Sequence, residues 1–177
     1  MKNHFPRCVI ILIAAVTMNF SEINSYDIPT PGLNAKDLQF LVDASYSNLD
    51  EVEMGSLAAT KGAGKGVRML GHMMAEDHGT AQAELKAVAD TVRTAVPESA
   101  DSVHILIKQS LANLSGAAFD STYLHALVTD HRTAIGLFQS ELHSGKDINV
   151  KDYARKHLPK IRMHLAMADS LLRTMQQ

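Results

Sequence analysis

Apolar residues recur along most of this chain in steps of three and four, and no strictly alternating run of useful length interrupts them. That period is helical. It predicts four long helices, at about residues 35–61, 65–94, 117–143 and 150–175, with a shorter one near 101–114. Local chemistry marks the ends. Asn34 is placed to cap the first helix, the "GAGKG" stretch from Gly62 to Gly66 reads as a turn, and Pro97 closes the second helix. Ser144 and Gly145 end the third long helix, and Asp147 or Asn149 caps the fourth. Pro159 falls inside the fourth and is expected to kink it or to mark a late start.

Each long helix carries one seam. In the first it runs Phe40, Ala44, Ser47, Glu51, Met54, Ala58, although a second apolar row (Leu38, Leu41, Val42, Leu49, Val52) leaves open which face is innermost. The second reads Val67, Gly71, Met74, His78, Ala81, Leu85, Val88, Val92. The third reads Ala117, Asp120, Leu124, Leu127, His131, Ala134, Phe138, Leu142. The fourth reads Val150, Tyr153, His157, Ile161, His164, Met167 with Ala168, Leu171, Met175. Rows of this spacing form the packing face of an all-α, left-handed four-helix bundle.

An ionisable group breaks each seam near its middle: Glu51, His78, His131 and His164. A mid-helix residue stays at mid-bundle whichever way its helix runs, so the four can share one level. A carboxylate and three inward imidazoles make a transition-metal ligand set, suited to zinc, copper or iron. Four protein ligands would close the coordination and argue against hydrolysis. The competing reading is a buried hydrogen-bonded His/Glu network with no metal. Asp77 and Asp130 each precede a seam histidine. Adjacent helical residues point about 100° apart, so these aspartates flank the site, either supporting a neighbouring histidine or facing water. His157 lies about 10 Å from His164 along the helix, too far to share its ligand set. Asp120, beside "FDSTY", reads as a cap or a polar bundle end. Met54, Met74 and Met167 sit one turn from the site; thioethers would favour copper, but core filling explains them as well.

Composition narrows the function classes. The chain has 177 residues, 46% hydrophobic and with no Trp, enough for one domain with a proper core. A net charge of -2 supplies no basic field for nucleic acid. Nine histidines are many for this length, and the lone Cys8 excludes an intrachain disulfide and thiolate-rich metal sites. Lys2 and Arg7 precede an apolar run from Cys8 to Phe20, the pattern of a secretory signal peptide over residues 1–25. Ser21 and Ser25 are poor cleavage contexts, so an uncleaved anchor stays open. Residues 26–34, with Pro29, Pro31 and Gly32, form a linker, and the domain is expected over 35–177. No Glu-x-x-His pair, Walker spacing or Gly-x-Ser-x-Gly turn is present, so no catalytic residue is assigned.

The stretches "FLVDAS", "EVEMGSLA", "MMAEDH", "FDSTYLHALVTDH" and "HLPKIRMHLAMA" give the chain, over about residues 37–172, a family likeness. It resembles a secreted bacterial family of ferritin-like domains of unknown function, often labelled outer membrane proteins. The resemblance implies a ferritin-like four-helix bundle, periplasmic or secreted, with residues 101–114 as the crossover between helices two and three. It implies recurrent polar positions at Glu51, His78, Asp120, His131 and His164, and no established activity. Two functions are expected from these observations. One is a metal-binding bundle with a storage, stress or structural role; the other is a metal-free structural or interaction module of the cell envelope. The mature domain is not expected to span a membrane.

Overall fold

The computed structural model describes residues 32–100 and 102–175; the expected signal peptide and most of the linker lie outside the described residues. These residues are all-helical, with no strand among them. In order come α1 (Ala35–Lys61), α2 (Lys65–Thr91), α3 (Ser102–Ala112), α4 (Gly116–Ser144) and α5 (Ile148–Met175). α1 and α2 form one antiparallel hairpin and α4 and α5 another; the two are laid together with α1 against α4 and α2 against α5. α3 occupies the connection from α2 to α4 and runs back along α1. Lys108 pairs with Glu53 at 2.6 Å, and Lys61 donates to the Ala112 carbonyl.

The ends explain the bounds. Asn34 and Asp37 form a reciprocal capping box: Asn34 Oδ1 accepts from the N–H groups of Lys36 and Asp37, and the Asn34 N–H donates to Asp37 at 2.7 Å. Of the two expected caps for α5, Asp147 serves, accepting from the N–H groups of Asn149 and Val150. α2 has no side-chain cap of its own. Asp120, from α4, accepts from Ala63 N–H at 2.9 Å and Gly64 N–H at 2.7 Å. α2 stops at Thr91, earlier than its period suggests. Arg93 turns left-handed at φ 56°, and Thr94 N–H reaches back to the Ala89 carbonyl in a Schellman cap. Pro159 marks no late start. α5 runs through it, giving up the hydrogen bond to the Arg155 carbonyl.

The inner faces follow the seams with local exceptions. The Phe40, Ala44, Glu51 row is innermost in α1, while Leu38, Leu49 and Val52 of the second row are half-buried. Ser47 yields its place to Asn48, and Ala117 is exposed. Two apolar clusters result. One gathers Phe40, Leu85, Phe138, Tyr153 and Ile161, with the Phe40 and Phe138 rings edge to face at 4.9 Å. The other gathers Met54, Leu70, Met74, Phe119, Leu124 and Leu127. Between the two lies a buried polar belt containing Asn48, Glu51, His78, Gln82, His131 and His164.

Candidate metal centre

His78 comes from α2, His131 from α4 and His164 from α5, each buried. Their ring centroids stand 5.4 to 5.5 Å apart in all three pairs. One nitrogen from each ring lies within 4.8 Å of the other two. Burial of this depth requires a partner for every polar atom.

The partners on the outer side of each ring fix its tautomer. His131 Nδ1 is 3.0 Å from the Leu127 carbonyl, which only accepts, so Nδ1 carries the proton and Nε2 holds the lone pair. His164 Nε2 is 3.0 Å from an Asp77 carboxylate oxygen, leaving the lone pair on Nδ1. His78 Nδ1 faces Asn48 Oδ1 at 3.1 Å. The orientation of Asn48 is itself set, because its amide donates to the Tyr153 hydroxyl at 3.0 Å and to Gln82 Oε1 at 3.4 Å. Gln82 in turn donates to Ser45, which donates to the Pro97 carbonyl. That chain makes Asn48 Oδ1 the acceptor and His78 Nδ1–H the donor. His78 Nε2 is buried and has no hydrogen-bond partner among the described residues.

Three imidazole lone pairs therefore converge: His78 Nε2, His131 Nε2 and His164 Nδ1. The last two are 3.4 Å apart. Two nitrogens bound tetrahedrally at about 2.1 Å from one ion would be separated by about 3.4 Å. Burial holds His78 well below the usual imidazole range, and the neighbouring His131 and His164 lower it further. Burial also lowers His164, against the pull of Asp77. In His131 burial acts downward too, but the Glu51 carboxylate, the Leu127 carbonyl and Asp130 together outweigh it and the net shift is upward. A proton on His131 Nε2 would serve His164 Nδ1 and still leave His78 Nε2 unmet.

Glu51 stands behind His131, its Oε1 3.2 Å from Nδ1, not on the inner side with the three lone pairs. Burial pushes its carboxyl up, with His131 opposing. Asp77 supports a histidine, but across the bundle: its partner is His164, not its neighbour His78. Lys160 pairs with the other Asp77 oxygen, and despite burial the contacts to Lys160 and His164 hold Asp77 below the usual carboxylate range. Asp130 lies 3.9 Å from His104 and lines a groove outside the triad. His157 pairs with Glu84 at 2.8 Å at the edge of a narrow cleft of about 10 Å³ beside His78 and His164. Asp120 serves the α1–α2 turn. Met54 and Met74 pack in the core, with Met167 against it. Asn48 and His104 escape a search for periodic seams. Asn48 is one residue off the row, and His104 belongs to the connecting helix α3, which carries no seam of its own in the sequence reading.

Fold and site together define an all-helical domain with a buried histidine triad across its polar belt. The chain belongs to the DUF4142 family, a domain of unknown function, which it matches over residues 27–171. No curated protein matches it. Two crystal structures share the fold. A DUF305 fragment from Deinococcus radiodurans superposes with TM-score 0.71 at 13% identity, covering 81% of this chain and 99% of its own. A DUF305 protein from Streptomyces coelicolor, regarded as secreted, gives TM-score 0.68 at 16% identity over 80% of this chain and 94% of its own. Among the described residues no helix is long and apolar enough to cross a membrane.

Proposed function

We propose that this chain is a periplasmic or secreted helical bundle of the ferritin-like kind that binds one transition-metal ion through His78, His131 and His164. One observation carries the reading: three imidazole lone pairs meet in a buried space, and among the described residues His78 Nε2 has no donor to satisfy it. An isolated buried acceptor is costly, and a cation removes the cost for all three nitrogens at once. The outer nitrogens are held as metal-bound histidines usually are, by a carboxylate, a carbonyl and an amide oxygen. Zinc, copper or iron suits three imidazoles without thiolate. Glu51 and Asp77 then act by orienting His131 and His164, and a storage, stress or structural role follows better than turnover. The signal-peptide-like pattern of residues 1–25, a basic start before an apolar run, and the likeness to a DUF305 protein regarded as secreted support the location.

The test is metal analysis of the purified mature chain after loading with Zn(II), Cu(II) or Fe(II). One equivalent is expected, with a melting temperature that rises on loading and falls on chelation. His78→Ala and His164→Ala lose the equivalent. Asp77→Asn keeps it with affinity reduced about 10–100-fold. No stoichiometric metal, with melting unchanged by chelator and by His78→Ala, would leave the metal-free network as the correct reading.

A further inference from the structure

A cavity of about 240 Å³ lies between α1 and α4, beneath His104 of α3. It is separate from the cleft that reaches His78 and His164. Asp43, Asp50, Glu51, His104 and Asp130 line it, and among the described residues no lysine or arginine does. His104 bridges two of the acids, with Nδ1 2.8 Å from Asp50 and Nε2 3.9 Å from Asp130. Glu51 is 1% exposed. It turns Oε1 toward His131, while the buried Oε2 has no hydrogen-bond donor among the described residues. Asp130 Oδ2 is buried and equally without a donor. Carboxylate oxygens held out of water without donors are unfavourable unless positive charge reaches them.

We propose that this cavity is a second cation site, holding a hard divalent ion between Glu51 and Asp130, with Asp50 and His104 at its margin. Carboxylate-rich sites select magnesium, calcium or manganese rather than the softer ions that three imidazoles prefer, and the neighbouring imidazole points to Mn(II). The site shares Glu51 with the support of His131, through the other carboxylate oxygen, but does not require the triad to hold a metal.

Mn(II) titration of the full mature chain, followed by loss of the free-ion electron paramagnetic resonance signal, tests this. One bound equivalent is expected in the wild type and in His164→Ala, in which the triad is broken. Asp130→Asn, at a partly exposed position, and the isosteric Glu51→Gln should each weaken binding about tenfold or more, at least the scale on which supporting carboxylates act. Unchanged circular dichroism would show that both variants fold. Absence of stoichiometric Mn(II), wild-type affinity in Asp130→Asn, or loss of the ion in His164→Ala would each overturn the proposal.

Discussion

Where α1 crosses α2, two glycines let the backbones touch, and Gly71→Ala measures how tightly. A Cβ at Gly71 would stand 2.5 Å from the Ala59 nitrogen, 2.7 Å from the Gly55 oxygen and 2.9 Å from the Ala58 carbonyl carbon. All three are backbone atoms of α1, so no rotamer change relieves them and the helix itself must move. Overpacking of this kind costs about 1–3 kcal/mol, and rigid neighbours place it in the upper half. Replacing a mid-helix glycine returns about 1 kcal/mol through helix propensity. The net is a loss of about 1–2 kcal/mol, or a fall in melting temperature of about 2–8 °C for a chain of this size. Gly136 provides the control. It is exposed on α4 and a Cβ there meets nothing within 4 Å, so Gly136→Ala should stabilise by up to about 1 kcal/mol. Thermal and urea unfolding followed by circular dichroism separates the two. A Gly71→Ala chain as stable as wild type, or a Gly136→Ala chain that loses more than Gly71→Ala, would refute the close-approach argument. Gly71 also lies two turns from His78 on the same seam, so a shifted α1 carries Asn48 away from His78 Nδ1.

Two further outcomes are expected. Asp120→Ala removes the acceptor for Ala63 and Gly64 N–H and should lower unfolding free energy by about 2–3 kcal/mol in urea titrations while leaving metal stoichiometry at the triad intact; lost stoichiometry in a folded variant would place Asp120 in the site after all. Glu141 is fully buried, and burial, then the neighbouring Asp37 carboxylate, push its carboxyl from 4.5 up to about 7. Because its folded-state value is raised, the stability it lends is complete below the unfolded value and is lost as pH rises through about 7. Glu141→Gln mimics the protonated form, so its stability relative to wild type should grow between pH 5 and 8, by at most about 2–3 kcal/mol. A difference that does not change with pH over that range would show that Glu141 does not titrate there.

The helices and most of their ends are legible in the sequence because local chemistry sets them. A period of three and four names the buried face, and Asn34, Gly62, Gly145 and Asp147 act within a few residues of the ends they cap. The end of α2 was not legible, since the left-handed turn falls on Arg93 where glycine is the usual signal. The histidines at mid-seam are visible as polar residues in apolar rows. Their chemistry is not visible there, because it depends on which ring nitrogen points inward. The Leu127 carbonyl settles that within α4 for His131, but Asn48 settles it for His78 and Asp77 for His164, each from a different helix. Adjacency along the chain does not say which histidine Asp77 supports, since a side chain about 100° from its neighbour meets the next helix rather than the next residue. Glu51 shares the level of the histidines and still stands behind one of them. Period places a residue on a face; only the packing of four helices decides which atoms meet across it.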